Sequence, residues 1–418
     1  MSGRILSCRA ARFTVLGLLV LLLAGLPALS ACGGGEDSET NTVTIGFLED
    51  FTGTSGYAHT ECFAVLKQYF EMEENQIPDV TIRFLTYDTR MDYSRIVPGY
   101  KWMMSQGIDL LLMDIGTTAA MVRPQVENDH MPLLSLQGVP AVEGSDYIRI
   151  LFPAQNYICS AFVQWVTQVD WDYTEKGRPP KIGAMSTAGY EAPQLEDAVI
   201  RDFMDKNPGK LIFEHLYCPA TQVNFAGELP KLEDSDYIFL MELYGASLPN
   251  FINEAMNRGY AGKLFQFGDL WFGFWDIIEG SVPLDSLDGA LGIASYPIWT
   301  DDVWFISNAR EMLLKYDPDE VDFQMANTFW TSGMLWGTAL KNIVEQAVDK
   351  VGAANVDPAA MLDAMVNLQI TGLGWGEDPA TFGSKGMMWR YFHMLQYHAS
   401  EGKWHAISDW YVPYSLAQ

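Results

Sequence analysis

The sequence is poor in positive charge, and this argues against two classes of partner. Its 418 residues include 26 lysines and arginines against 53 aspartates and glutamates, which gives a formal net charge of -27. A surface this acidic repels nucleic acid and anionic membranes. We therefore expect neither as a partner.

The residues that usually carry catalysis or bind metals are also scarce. The six histidines include no His-Glu-x-x-His motif, and the sequence has no Gly-x-Ser-x-Gly elbow. The five cysteines form no Cys-x-x-Cys pair and show no Cys/His spacing typical of a metal site. The glycine-rich run at 372–376 lacks the spacing of a dinucleotide site. We predict no enzyme activity, no metal and no cofactor, with an exported hydrolase as a remote alternative.

An apolar stretch near the N-terminus is too short for a convincing membrane span. Phe13–Leu26 follows three arginines and precedes Leu29-Ser30-Ala31-Cys32. The last four residues resemble the lipobox of bacterial lipoproteins, in which the signal peptide is cut before a lipid-carrying cysteine. We predict a signal peptide at 1–31, a lipid-anchored Cys32 and a flexible tether at 32–42. The protein would then be anchored to a membrane of the cell envelope, on its periplasmic or extracellular face. The alternative is an ordinary signal peptide with a chance cysteine.

Three further cysteines would remain in the exported chain. An oxidising compartment would permit one disulfide among Cys62, Cys159 and Cys218, but the sequence leaves the pairing open.

The rest of the chain alternates short apolar runs with amphipathic segments. A first series gives strands at Asn41–Leu48, Val80–Tyr87, Asp109–Met113, Pro132–Leu136 and Tyr147–Leu151. A second series gives strands at Lys181–Met185, Leu211–Leu216, Tyr237–Leu240 and Leu264–Phe267. Helices are predicted between the strands and at Val303–Tyr316, Met325–Val351 and Pro358–Val366, and a hairpin at Gly386–His398 and Lys403–Val412. The fold class is α/β, with two doubly wound parallel-sheet lobes.

The segment from Asp109 to Gly138 carries the strongest functional signal. It is predicted to be a strand, a turn at Gly116-Thr117-Thr118, a helix and a second strand. A helix N-terminus with two hydroxyls and unpaired N–H groups can bind an anion. Judged from this segment alone, Thr117 and Thr118 could instead serve only as helix caps, without binding a ligand.

Several motifs together resemble the type I periplasmic binding proteins, and among them the Leu/Ile/Val-binding family of ABC transporters. They are Ile45-Gly46-Phe47 with Phe51-Thr52-Gly53, Gly116-Thr117-Thr118, Ala188-Gly189-Tyr190, and Glu401-Gly402-Lys403-Trp404 before Ile407-Ser408-Asp409-Trp410. The resemblance implies that lobe one comprises 43–154 and 296–375, and lobe two 155–295 and 376–418. The three crossovers fall near Phe152–Asn156, Ser295–Ile298 and Leu373–Thr381.

The same resemblance implies a ligand site in the cleft between the lobes. Thr117 and Thr118 would hold a ligand carboxylate from lobe one, with backbone contacts from Gly138. Tyr190 matches a ligand-contacting tyrosine of lobe two, although Glu191 follows it where the family usually has glycine. Asp269 would meet a ligand ammonium group, or else be a solvent-facing turn residue.

Four aromatic residues are further candidates for the ligand site. Tyr57 lies in the first loop, in an uncertain register because His59 replaces a common glycine. Trp271, Tyr244 and Tyr296 could form apolar walls, and most neighbouring aromatics should be core.

The predicted function is a lipid-anchored solute-binding protein. It would capture a small amino acid or a related carboxylate or amide, including an aromatic or aliphatic carboxylate, and deliver it to the permease subunits of an ABC transporter. The main alternative is a ligand-sensing lipoprotein of the same fold.

Overall fold

The computed structural model describes residues 41–53, 56–189, 192–219, 221–241, 243, 246–413 and 415. The predicted signal peptide, Cys32 and the tether up to residue 40 lie outside these residues. None of the helices that the structure describes combines the length and apolar character of a membrane span.

Fourteen strands are assigned in the described chain. They are β1 Asn41–Glu49, β2 Val80–Asp88, β3 Leu110–Met113, β4 Leu133–Gln137, β5 Ile148–Phe152, β6 Lys181–Thr187, β7 Ile212–Cys218, β8 Tyr237–Phe239, β9 Lys263–Phe267, β10 Leu291–Ala294, β11 Gln369–Ile370, β12 Ala380–Thr381, β13 His393–His398 and β14 Lys403–Ala406.

The α-helices lie mostly between these strands. They are α1 Gly56–Glu71, α2 Ile96–Ser105, α3 Gly116–Asp129, α4 Gln155–Trp165, α5 Tyr173–Lys176, α6 Ala192–Lys206, α7 Leu229–Leu232, α8 Ser247–Asn257, α9 Gly268–Gly273, α10 Trp275–Glu279, α11 Trp304–Tyr316, α12 Val321–Ala326, α13 Phe329–Val351 and α14 Pro358–Val366.

Two large sheets organise the molecule. The first has the order β2-β1-β3-β4-β5, and all its strands are parallel. The second has the order β14-β13-β10-β9-β8-β6-β7, with the antiparallel β13–β14 hairpin at one edge. Strand β3 is buried along its whole length, as expected for a strand covered by helices on both faces. The predicted α/β class with two parallel-sheet lobes is confirmed.

The C-terminal hairpin begins later than the sequence pattern suggests. The segment 386–389 hydrogen-bonds to β5 of the first sheet, where Ile150 N–H donates to the Gly386 carbonyl and Met388 N–H donates to the Ile150 carbonyl. Only from His393 does the chain pair with β10 of the second sheet. The lobe boundary near residue 375 stays a prediction. Because residues 386–389 still bond to the first sheet, these hydrogen bonds favour a boundary later in the sequence.

The long helix predicted at 325–351 is interrupted near residue 327. Helix α12 ends at Ala326 and α13 begins at Phe329. The indole N–H of Trp299 donates to the carbonyls of Gln324 and Asn327, at 3.0 and 2.9 Å. The side chain of a distant residue thus satisfies carbonyls that a continuous helix would use itself.

Among the described residues, no disulfide joins the two sheets through Cys62 or Cys218. The thiols of Cys62 and Cys218 are free and buried, and Cys159 is buried in the core. The disulfide that the sequence left open does not join Cys62 and Cys218.

Helices α1 and α13 pack closely on the first sheet because α13 has glycines at the contact. A side chain at Gly333 would come within 2.6 Å of Val65, and one at Gly337 would overlap the ring of Tyr69. The two helices therefore approach each other through bare backbone.

We expect Gly337→Ala to destabilise the protein by about 1–3 kcal/mol, because the added methyl group overpacks against Tyr69. Helix propensity alone would give the opposite result, because alanine favours a helix over glycine by about 1 kcal/mol. A loss of stability would therefore point to packing. Urea unfolding measures the change. Gly227→Ala is the matched control, because no atom lies near its added methyl group. Equal stability of the Gly337 variant and the wild type would contradict the packing argument.

Candidate functional site

A cavity of about 170 Å³ lies where the carboxyl ends of strands from both sheets converge. The first sheet contributes 114–117 after β3 and 137–139 at the end of β4. The second contributes 293–296 at the end of β10 and residues of α9. Open parallel sheets bind ligands at this edge, so the cavity is the leading candidate for a ligand site.

Main chain forms the first-sheet wall at the turn into α3. A side chain at Gly116 would lie 2.7 Å from the carbonyl carbon of Gly138, and one at Gly138 would lie 2.9 Å from Ile150. Gly116 thus requires glycine because backbone atoms are in the way, and a side chain at Gly138 would have to displace Ile150. The close contact exposes backbone groups, rather than side chains, to the cavity.

The two threonines of this turn differ in orientation. Helix α3 begins after Ile115, and no side chain caps it. Thr117 lines the cavity. Thr118 is buried, and its hydroxyl donates to the carbonyl of Ile115 at 2.7 Å. Neither threonine caps the helix, and only Thr117 faces the cavity.

A buried charge cluster lies behind this turn, at the ends of β1 and β3. His59 Nε2 is 2.9 Å from Asp114 Oδ2, and His59 Nδ1 is 3.0 Å from the carbonyl oxygen of Asp50. Both partners accept hydrogen bonds, so both ring nitrogens must donate, and only the imidazolium can do so. His59 is therefore a buried cation, and it lines the cavity together with Asp114.

Glu49 completes the cluster from the last position of β1. Its Oε2 accepts from the backbone N–H groups of Asp114, at 2.7 Å, and Ile115, at 3.3 Å. Its Oε1 lies 3.8 Å from His59 Nδ1. One carboxylate thus ties the end of β1 to the end of β3 and to the first helix.

The cluster shifts the pKa of two of its members. Burial alone would lower the pKa of His59, but the charge of Glu49 and the hydrogen bond and charge of Asp114 raise it to about 9. Burial raises the pKa of Glu49, and the charge of His59 only partly opposes this.

The remaining walls of the cavity are largely apolar. Phe152, Phe274, Tyr296, Phe329 and Trp336 contribute aromatic surface. The lining residues that the structure describes include no lysine or arginine. A ligand anion would thus meet N–H groups and hydroxyls, with the charge of His59 nearby, rather than a flexible basic side chain.

The structure brings together three of the residues predicted for the site, namely Thr117, Gly138 and Tyr296. Tyr57 packs edge-on against Phe329, with ring centroids 5.6 Å apart, and so lies one residue behind the wall. Trp271 is fully buried, and its indole N–H donates to the Leu291 carbonyl at 2.9 Å, which makes it a core residue.

Other predicted site residues cannot be placed in the same way. Tyr190 and Tyr244 lie outside the described residues, as does the side chain of Asp269. The backbone of Asp269 belongs to α9, whose Leu270 and Gly273 line the cavity.

Sequence reasoning missed Glu49, His59 and Asp114. The available signal was an acidic residue at the end of each of two parallel strands, together with a histidine in the following helix. The carboxyl ends of neighbouring parallel strands meet at one sheet edge, so this pattern could have predicted the cluster.

A Ser-His-Asp hydrogen-bond chain lies elsewhere, on β6, β7 and α6. Ser186 Oγ is 2.7 Å from His215 Nε2, and His215 Nδ1 is 2.9 Å from Asp197 Oδ1. This is the order of a hydrolase triad. However, Ser186 is 0% exposed and does not line the cavity, so a substrate cannot reach it.

Comparison with known families identifies the fold and the family. The sequence profile described as "Periplasmic binding protein" matches residues 42–403. The chain belongs to the periplasmic binding protein family. The resemblance inferred from the sequence motifs is thereby confirmed, and the family is one of binding proteins rather than enzymes.

Solved structures share the fold of this periplasmic binding protein at low sequence identity. A branched-chain amino acid ABC transporter protein from Thermus thermophilus with bound valine superimposes with a TM-score of 0.73 at 13% identity, covering 89% of this chain and 97% of that one. A fatty acid ABC transporter substrate-binding protein from Thermomonospora curvata gives 0.71 at 15%, covering 89% and 92%.

A solute-binding protein from R. palustris in complex with benzoate gives a TM-score of 0.69 at 15% identity, covering 89% of this chain and 97% of that one. Among curated protein sequences, no match was found.

The buried imidazolium predicts a pH-dependent stability. Because the pKa of His59 is higher in the folded state, its contribution is complete below about pH 6.5 and is lost as the pH rises through about 9. We expect the free energy of unfolding to fall over this range by an amount on the order of 3 kcal/mol, and His59→Gln to abolish most of that fall. Urea unfolding at a series of pH values measures it.

The control for this experiment is His130→Asn, which changes an exposed histidine in the left-handed region, a conformation that asparagine tolerates. This variant should keep the full pH dependence. A His59 variant with the wild-type slope would show that the cluster does not hold a charged imidazole.

Proposed function

We propose that this periplasmic binding protein captures a small amino acid, or a related carboxylate or amide, in the cleft between its lobes. The observation that carries the proposal is the cavity itself. It joins the turn into α3, with Thr117 and exposed backbone groups, to apolar walls to which both sheets and α13 contribute. Backbone N–H groups at a helix N-terminus suit a carboxylate, and apolar walls suit a side chain.

The charges of the site favour a ligand with both a donor and an acceptor end. Asp114 and His59 line the cavity and compensate each other. A ligand with a large net charge of either sign would lack an unpaired partner among the described lining residues. A zwitterion or an amide suits such a site better, because its acceptor end can meet N–H groups and its donor end the carboxylate that we propose at Asp269.

The size of the cavity fits this ligand class. An apolar cavity of about 150 Å³ holds a benzene molecule. The present cavity of about 170 Å³ is slightly larger, and it is lined partly by polar groups. Valine and benzoate, the ligands of two structural neighbours, are of this size class, and they define the range that should be screened first.

We further propose that binding closes lobe two over lobe one and that the closed form delivers its ligand to an ABC permease. A ligand that contacts both lobes has a higher affinity for the closed state, which makes closure a signal. In this proposal Cys32 carries the lipid anchor, on the periplasmic or extracellular face of the cell envelope. The supporting observations are the family membership and the lipobox-like Leu29–Cys32.

The alternatives make different predictions. A sensing lipoprotein would bind the same ligand, but its deletion would leave uptake intact. A hydrolase would need an accessible nucleophile, and the buried Ser186 offers none.

A thermal-shift screen of amino acids, aromatic and aliphatic carboxylic acids and amides should identify the ligand, because a ligand that binds the folded state raises the melting temperature. Uptake of the labelled hit by cells with and without the gene then separates transport from sensing. Unchanged uptake in the deletion strain would reject the delivery role.

For the hit from that screen, Thr117→Val should weaken binding about ten- to hundredfold, because it removes a hydroxyl that donates to a charged group. Thr118→Val is the matched control. The Thr118 hydroxyl already donates to Ile115, so its loss should leave affinity nearly unchanged. Calorimetry measures both. The earlier prediction that Thr118 contacts the ligand would be supported instead if the two effects were reversed.

Asp269→Asn tests the proposed ammonium contact. Amino-acid ligands should bind about tenfold more weakly or worse, whereas plain carboxylic acids should bind as before. Calorimetry with an amino acid and its deaminated analogue gives the comparison. Equal effects on the two ligands would reject the contact.

A further inference from the structure

Two histidines and a glutamate meet on the outer face of the β13–β14 hairpin. In the strand register Gln396 faces His405 and His398 faces Lys403. His398 and His405 therefore lie diagonally on one face, with ring centroids 4.9 Å apart. The opposite face carries Tyr397 and Trp404, which pack into the core.

Glu401 lies in the turn between the strands and faces both histidines. Its Oε1 is 3.8 Å from His398 Nδ1, and its Oε2 is 3.1 Å from His405 Nε2. One ligand atom from each of the three side chains lies within 4.8 Å of the other two. The spacing of these residues in the sequence gives no hint of a metal site, because the hairpin register creates it.

We propose that His398, Glu401 and His405 bind a divalent transition-metal ion of the zinc class. Two imidazoles and a carboxylate are ligands that zinc accepts, at about 2.0–2.2 Å each. Tetrahedral coordination at those distances places ligand atoms roughly 3.3–3.5 Å apart. The ligand atoms now lie within 4.8 Å of one another, so side-chain rotation has to close the longest separation by up to roughly 1.5 Å. Water would occupy the fourth position, since all three side chains are partly exposed.

The backbone of the turn is already held in place. Asp288 Oδ1 accepts from the N–H of Ala399 at 2.9 Å, and Glu401 N–H donates to the His398 carbonyl at 3.1 Å. Binding would therefore order three side chains without rearranging the main chain, which lowers its entropic cost. The ion would link the edge strand β14 to β13 through their side chains.

The test is calorimetric titration of the wild-type protein with zinc chloride, with a zinc-dependent rise in melting temperature as a second readout. We expect one ion per chain, and Glu401→Gln and His405→Gln to weaken binding by about tenfold or more. Lys403→Gln is the matched control on the same hairpin. It removes a positive charge opposite His398 and should leave binding unchanged or tighten it.

Two results would overturn the proposal. One is the absence of saturable zinc binding by the wild-type protein. The other is equal affinity of the wild type, Glu401→Gln and His405→Gln, which would mean adventitious binding elsewhere on this acidic chain. Circular dichroism of each variant shows whether it has folded. The site is separate from the cleft, so neither result bears on the proposed ligand capture.

Discussion

The buried pairing of Glu49 with His59 and Asp114 is the interaction on which the site depends. Glu49 ends β1, Asp114 follows β3, and His59 lies in α1, so the pairing fixes three elements relative to one another. Removing one partner from such a cluster leaves an uncompensated buried charge, which costs far more than a surface ion pair contributes. This cluster also fixes the position of the turn into α3, because Glu49 accepts hydrogen bonds from the backbone N–H groups of Asp114 and Ile115, which immediately precede Gly116.

The two sheets contribute different surfaces to the cavity. The first supplies main chain and fixed charge at the turn into α3, together with the aromatic side chains of Phe152 and, from α13, Phe329 and Trp336. The second supplies side chains on the opposite side, chiefly Leu270, Phe274 and Tyr296. The same fold occurs in solved structures that hold ligands as different as valine and benzoate. Fold alone does not specify the ligand, and the chemistry of the walls must do so.

Much of the fold followed from the sequence, because the periods of its apolar residues match buried strands and amphipathic helices. Strand β3 and helix α14 illustrate this. The predictions that were wrong concern element boundaries that are set by residues distant in the sequence. The start of β13 depends on bonds between residues 386–389 and β5, and the break before α13 depends on the indole of Trp299.

The site residues divide in the same way. Thr117 and Gly138 follow from a local motif, whereas Glu49 and His59 become functional candidates only once β1 and β3 are known to be neighbours.

The contact between Gly116 and Gly138 limits how such a binding site can diversify. Gly116 cannot accept a side chain, and one at Gly138 would have to displace Ile150, so this part of the wall presents the same peptide groups whatever the neighbouring sequence becomes. Selectivity cannot be adjusted there by point substitution. Changes of ligand preference, whether by evolution or by engineering, must instead come from the side chains that line the rest of the cavity, such as Phe152, Phe274 and Trp336.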